Sequence, residues 1–271
     1  MICKIHDAEI YYEVVGEGTP VVMLHGCAPD HRLLWTCMES VFQTCPGYQR
    51  IYIDLPGMGK SSAPRGINSS DQVLELLAAC VRRIVPSRDF LLVGESYGGY
   101  LARGLLAQLP DRISGLLLLC PVVVAQRDIR LLPDVQTLVR DEDFLNSLSP
   151  ADRDEFCASA VVATAPTYAR FRDEIKPGLD VADYEFIDRL QRRYAFSAEL
   201  SGLKYEKPVL LLAGRQDAVV GYRDIMNIVE SYPRATLAVL DMAGHNLQIE
   251  QPGLFESLVA EWLWRTNLPS P

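Results

Sequence analysis

The sequence predicts an α/β protein with a mostly parallel central sheet, helices on both faces and an inserted helical cap. Three observations predict it. Short, almost wholly apolar runs such as Val21 to Leu24, Phe90 to Val93 and Ile113 to Leu119 read as strands covered on both faces. They alternate with segments whose apolar residues recur at helical spacing, as in a parallel sheet joined by helical crossovers. The alternation stops between Pro121 and Tyr205, where helices follow one another and no apolar run is long enough to join the sheet.

Taken in order, Ile2 to Ile5 and Glu9 to Val15 form an antiparallel hairpin around His6-Asp7-Ala8, placed at a sheet edge. After the turn Gly16 to Pro20 come the buried strand Val21 to Leu24, a helix over Leu33 to Phe42 and a strand over Arg50 to Ile53. Val73, Leu74, Leu76, Leu77, Cys80, Val81 and Ile84 mark the next helix, with Ser69, Ser70 or Asp71 as its cap. The strand Phe90 to Val93 then runs into Gly94-Glu95-Ser96-Tyr97-Gly98-Gly99, a sharp turn before a helix that begins around Tyr100 and closes at Pro110. Ile113 to Leu119 is the next strand. In the interrupted region Ser149-Pro150 opens one helix, Thr167 to Ile175 forms another, and Asp180 caps a third that runs through Arg193. The alternation resumes with the strand Val209 to Ala213, a helix near Tyr222 to Ser231, the strand Thr236 to Leu240, and a last helix carrying Leu254, Phe255, Leu258, Val259 and Trp262. The expected division is a core of residues 1–121 and 206–271 with a cap of residues 122–205.

Composition narrows the class. The 271 residues carry a net charge of −9 and no clustered run of Lys and Arg, which disfavours a nucleic-acid partner. No apolar run approaches the length of a membrane span, and the N-terminus lacks the apolar core of a signal peptide, so a cytoplasmic protein is expected. Seven cysteines, odd in number and without a C-x-x-C pair, read as reduced thiols in the core. Gly59-Lys60-Ser61 imitates the end of a phosphate-binding loop, but Asp54 stands where its first glycine is required, so nucleotide binding is not expected. With no metal-binding spacing either, the expectation is chemistry without cofactor or metal on a small-molecule substrate. Oligomeric state is not legible.

The turn at Ser96 carries the chemistry. Gly-x-Ser-x-Gly between a strand and a helix points the serine out of the sheet edge, and its glycines remove Cβ atoms that would clash there. A serine hydroxyl is a weak nucleophile until a base takes its proton, and the base needs an acceptor to hold its tautomer. Of four histidines, His6 lies in the hairpin, His31 near a helix start and His25 in a turn before the nucleophile. His245, after the strand Thr236 to Leu240, lies at the carboxyl-end edge where Ser96 emerges. Asp217, beyond the strand Val209 to Ala213, is the acid best placed on the neighbouring loop. Asp128 lies well past its strand tip, and Asp241 is on the histidine's own strand end.

With these features the sequence resembles the α/β-hydrolase fold superfamily over essentially its whole length. The resemblance rests on the serine turn, on His25-Gly26 after a strand, on the turn Asp54-Leu55-Pro56-Gly57-Met58-Gly59-Lys60-Ser61, on Gly244-His245 before the final helix, and on the chain order Ser96, Asp217, His245. It implies an oxyanion hole made by the backbone N–H groups of Cys27 and Tyr97, each worth about 3 kcal/mol of barrier. It also implies a structural role for His25 and a backbone role for Cys27.

The function expected is hydrolysis of a carboxylic ester of a small, at least partly apolar substrate through an acyl-enzyme. Ser96 would be the nucleophile, His245 the base and then the acid, and Asp217 the orienting group. A haloalkane dehalogenase would carry aspartate at position 96. Carbon–carbon bond hydrolases of ring-cleavage products are the alternative, although Cys27-Ala28-Pro29-Asp30 and Asn246 depart from patterns common among them. A non-catalytic ligand-binding protein on the same fold is the alternative from another class. The cap residues Phe144, Leu145, Val161, Val162, Tyr168, Phe171, Tyr184 and Phe186 supply apolar surface to pack the cap and roof a pocket. Arg170, Arg172, Arg189 and Arg193, interleaved with them, read as solvated faces, with one available to a substrate carboxylate. Glu95 would disfavour anionic substrates if it points into the pocket, and would need a buried partner if it points into the protein.

Overall fold

A computed structural model describes residues 1–200 and 202–268. Ser201 in the expected cap and residues 269–271 in the expected core lie outside the described residues. The sheet strands are β1 (Ile2–Ile5), β2 (Ala8–Val15), β3 (Thr19–Leu24), β4 (Tyr48–Ile53), β5 (Phe90–Glu95), β6 (Ile113–Leu119), β9 (Val209–Gly214) and β10 (Ala235–Leu240), in the spatial order β1-β2-β4-β3-β5-β6-β9-β10. The intervening β7 (Val139–Arg140) and β8 (Val162–Ala163) form a separate two-stranded pair outside this sheet. β2 pairs antiparallel with β1 and β4, and the other strands pair parallel. The hairpin therefore ends one side of a parallel sheet, as its alternating pattern suggests.

All residues of β5 and β9 are buried, which requires helices over both faces of the sheet. α1 (Arg32–Thr44) packs against α11 (Pro252–Thr266), and α2 (Ser70–Ile84) packs against α3 (Ser96–Gln108). Leu33, Leu34, Cys37, Met38, Val41 and Phe42 make the buried stripe of α1, at the spacing of one helical face. Ser69 caps α2, its hydroxyl accepting the N–H of Gln72. The helix after β5 starts at Ser96 itself, four residues before the expected Tyr100.

Between β6 and β9 lie α4 (Glu142–Ser147), α5 (Pro150–Cys157), α6 (Ala165–Arg170), α7 (Lys176–Leu179) and α8 (Tyr184–Gln191). The expected helix over Thr167 to Ile175 is α6 continued by a wider π-type turn over Phe171–Ile175. The helix expected from Asp180 starts instead after Asp183, whose carboxylate caps the N–H of Phe186. Asp183 is also tied to the core through its own N–H, donated to Gly57 O at 2.8 Å. Tertiary contact thus selects the cap from two aspartates three residues apart. Beyond β9, the helix expected over Tyr222 to Ser231 is only α9 (Arg223–Met226) and a 3₁₀ turn, with buried Asp224 accepting the N–H of Leu131. A short α10 (Leu247–Glu250) precedes α11.

Candidate active site

The site is assembled at the carboxyl ends of the parallel strands. β5 turns into α3 so sharply that Ser96, the first helical residue, takes φ +51°, the left-handed region. Glycine is required on either side. A Cβ on Gly94 would run into the carbonyl of Gly98, and one on Gly98 into that of Leu24. The turn therefore compresses strand, helix start and the neighbouring β3 into contact, a geometry that cannot form with larger residues at those positions.

Two other strand ends bring partners to the serine. Asp217, 1% exposed, follows β9, and its Oδ1 accepts the N–H groups of Val219 and Val220 at 2.8 and 3.0 Å. Its Oδ2 lies 2.9 Å from Nδ1 of His245, and His245 Nε2 lies 2.9 Å from Ser96 Oγ. Burial raises the Asp217 pKa, but the charge and hydrogen bond of His245 and the two backbone donors outweigh it and hold it below the usual carboxylate range. An ionised Asp217 keeps the proton on Nδ1, so that in the neutral ring the Nε2 lone pair faces Ser96. For His245, burial favours the neutral ring, yet the charge and hydrogen bond of Asp217, followed by the charge of Glu95, push its pKa up to about 9. Neither Asp128 nor Asp241 takes part; Asp241 accepts a hydrogen bond from Gln216 instead.

The backbone donors expected beside the serine are placed in two ways. Tyr97 lies in the first turn of α3, where N–H groups have no acceptor within the helix. Cys27 lies in the loop after β3 and lines the same cavity as Ser96. Its thiol is pushed up to about 12 by burial and stays protonated. His25 is fully buried, and both its ring nitrogens are bonded to backbone groups rather than to the serine. Its Nε2 accepts the N–H of Leu55 at 2.9 Å and its Nδ1 bonds Gly26 O at 2.7 Å, joining the loops after β3 and β4. His31 likewise bonds Asp54, with Nδ1 2.7 Å from Oδ1.

A cavity of about 200 Å³ opens above Ser96 and His245. Pro29, Leu33, Phe171, Ile175, Leu179 and Val219 make its apolar wall, and Glu95, Glu155, Ser159 and Asn246 its polar lining. Of the aromatic residues singled out in the sequence, Phe171 alone reaches it among the described residues. Phe144 packs on Tyr168, which meets Phe156 edge-on and Phe171 at a tilt inside the helical segment. None of the four arginines lines the cavity. Arg170 is committed to Glu174 and to Gln248 O, Arg172 to Asp173, Arg193 to Asn68, and Arg189 lies over the Phe186 ring.

Two carboxyl groups that spacing did not mark as site residues adjoin the histidine and its loop. Glu250 accepts the N–H of Gly244 on one oxygen and those of Val161 and Val162 on the other. It lies five residues after His245, a spacing that signals nothing in sequence. Glu95 is 1% exposed, and its Oε1 lies 3.3 Å from His245 Nε2.

A hydrogen-bonded serine, histidine and aspartate met in the chain order Ser96, Asp217, His245 on three strand ends of a mostly parallel sheet is the arrangement of the α/β-hydrolases. The chain belongs to that class: the model of the alpha/beta hydrolase fold family matches residues 19–252. Among its relatives is a pimeloyl-[acyl-carrier protein] methyl ester esterase of Nitrosomonas europaea, 29% identical, the match covering 92% of this chain and 98% of that one. Another is a 2-hydroxy-6-oxo-2,4-heptadienoate hydrolase of Pseudomonas putida, 24% identical over 92% of this chain and 90% of the other. Among solved structures, an alpha/beta superfamily hydrolase from Oenococcus oeni PSU-1 superposes with a TM-score of 0.89 at 33% identity, covering 96% of this chain and 97% of that chain. No helix among the described residues is long and apolar enough to cross a membrane.

Proposed function

We propose that this protein is a serine hydrolase that cleaves a carboxylic ester of a small, uncharged and partly apolar substrate through an acyl-enzyme. The observation that carries this reading is the unbroken chain Ser96 Oγ, His245 Nε2, His245 Nδ1, Asp217 Oδ2, with both links at 2.9 Å, on the floor of the apolar cavity. His245 takes the proton of Ser96 as Oγ attacks the ester carbonyl, and returns it to the departing alcohol. The oxygen of the tetrahedral intermediate is held by the N–H groups of Cys27 and Tyr97. Water, deprotonated by the same histidine, then releases the acyl group. In this reading residues 122–205 act as a cap, since Glu155, Ser159, Phe171, Ile175 and Leu179 wall the cavity from that segment.

The relatives support both ester and carbon–carbon hydrolysis, and the lining favours the ester. The Pseudomonas putida relative is named for a carboxylate substrate. Here the cavity is lined by two carboxyl side chains, Glu95 and Glu155, and by no Lys or Arg among the described residues. His245, the one basic group of that lining among the described residues, is already flanked by Asp217 and Glu95, so a substrate carboxylate would be desolvated beside carboxyl groups with no cation of its own to pair with, at a cost of several kcal/mol. A binding-only role leaves the buried, hydrogen-bonded serine without a purpose.

The test is a panel of p-nitrophenyl esters, amides, lactones and vinylogous diketones assayed with wild type and Ser96→Ala. We expect turnover of short acyl esters by wild type and loss of it in the variant. Retained activity in Ser96→Ala, or preference for the diketones, overturns the assignment.

A further inference from the structure

The residue beside the nucleophile faces its base. Glu95 is enclosed between Gly26, Ser96 and His245: its Oε1 lies 3.3 Å from His245 Nε2, the nitrogen that also bonds Ser96 Oγ at 2.9 Å. Its Oε2 is buried with no hydrogen-bond partner among the described residues. A Cβ on residue 26 would collide with this oxygen, so the glycine there makes room for the carboxyl group. A buried carboxyl with one oxygen on the base and the other unpaired is not a structural salt bridge, which would satisfy both.

We propose that Glu95 is a second proton acceptor for His245, so that the two side chains share one proton that must leave before Ser96 can be activated. This rests on the reading of Ser96 as nucleophile and His245 as its base. While the shared proton is present, the Nε2 lone pair is occupied, either as imidazolium N–H or by the Glu95 O–H. Its loss to solvent leaves Glu95 ionised and His245 neutral, with Nδ1–H on Asp217. The Ser96 proton then passes to Nε2 as Oγ bonds the carbonyl carbon and the carbonyl electron pair moves to oxygen. The imidazolium so formed is flanked by carboxylates at both nitrogens, which makes His245 a stronger base at the expense of requiring a higher pH.

Among the described residues, the groups that act on Glu95 include no cation besides His245. His245 and Asp217 face Glu95 from the loops after β10 and β9, Cys27 from the loop after β3 and Cys120 from the end of β6; burial pushes both thiols up, so they stay neutral. Glu155, across the cavity, is paired with Lys176 at 2.8 Å. Arg130 acts on His245 from further off and favours its neutral form. Burial raises Glu95 to about 7, with His245 opposing and Asp217 adding to the rise; the Gly26 amide draws it down without reaching hydrogen-bond geometry. Two groups so close titrate as a pair.

The experiment follows the rate at which a fluorophosphonate probe labels Ser96 across pH in wild type and Glu95→Gln, with Ser96→Ala as blank. The acid limb in Glu95→Gln should lie about one pH unit or more below that of wild type, because a carboxylate within about 4–6 Å of a base raises it by that much. Coincident limbs overturn the proposal while leaving the nucleophile standing. Absence of labelling in wild type overturns the nucleophile instead. A second measurement needs no variant: in wild type carrying ¹³C-carboxyl glutamate and ¹⁵N-histidine, the Glu95 carboxyl and the His245 ring should report one common proton-loss step. A Glu95 carboxyl that titrates alone near 4.5 overturns the pair.

Discussion

Glu250 Oε2 accepts the backbone N–H of Gly244 at 2.6 Å, one residue before His245, while its Oε1 accepts the N–H of Val161 at 2.6 Å from the helical segment between β6 and β9. One buried carboxylate thus holds the histidine's loop against the wall of the cavity. Glutamine in its place offers one acceptor and turns an NH₂ toward a backbone N–H. We expect Glu250→Gln to lose about 1–3 kcal/mol of stability, the cost of a buried donor left unmatched, and to lower kcat for a short ester more than it changes KM. Urea melts and steady-state kinetics read both; unchanged kcat would show that the tie does not position His245.

Asp217→Asn keeps the shape of the acceptor but removes its charge. The amide can still accept from Val219 and Val220, yet its NH₂ then faces Nδ1 and selects the tautomer with the proton on Nε2, pointing at Ser96. The expected loss in kcat is on the order of 10⁴-fold. A loss below tenfold in ester assays would remove Asp217 from its orienting role.

Gly26→Ala tests the enclosure of Glu95. The added methyl collides with Glu95 Oε2 and crowds Ser96 Cβ, and overpacking of this kind costs about 1–3 kcal/mol. Glu95→Ala removes the obstacle, so the double variant should recover part of the loss. Additive effects in a double-mutant cycle of denaturation free energies would contradict the packing.

Leu179→Phe narrows the cavity of about 200 Å³ from the side of the helical segment. The ratio of kcat/KM for p-nitrophenyl butyrate over acetate should fall by about tenfold or more, since each methylene in an apolar pocket is worth about 1–3 kcal/mol. An unchanged ratio would place the acyl chain elsewhere.

Stability should decline with rising pH. Folding raises Glu95 above its ordinary 4.5 and His245 above its ordinary 6.5, so the folded state holds the protons of this pair more tightly than the unfolded chain. Their joint contribution is fully present below the unfolded values and is lost as pH rises through the titration of the pair. Asp217 runs the other way and loses its contribution below 3.8. Urea midpoints should therefore fall between pH 5 and pH 9, and Glu95→Gln should flatten that slope. A rise across the same range would refute the assignment of raised values.

The core alternation was legible because the strands are buried on both faces and therefore read as apolar runs, unbroken in Val209 to Ala213 and in Leu116 to Leu119. The helical segment was less so. Asp180 and Asp183 are equivalent as local caps, and the choice between them depends on the contact of Asp183 with Gly57 O. The stretch Tyr222 to Ser231 has helical spacing, yet it breaks into two short turns around buried Asp224, which bonds Leu131. Both outcomes are set by residues far away in the chain.

The sequence by itself determined the sheet and the turn at Ser96 and pointed to His245 and Asp217, the residues found hydrogen-bonded in line with it, because strand ends of a parallel sheet share one edge and few residues of the right chemistry fall there. Only the tertiary structure decided what surrounds them. It turns Glu95 toward Nε2, sets Glu250 behind Gly244, commits Arg170 to Glu174 and Gln248, and leaves Ile175 and Leu179 rather than most of the aromatic residues to wall the cavity. The physical reason is that periodicity reports which face of an element is buried, whereas the partner a buried polar group finds depends on packing between segments distant in sequence.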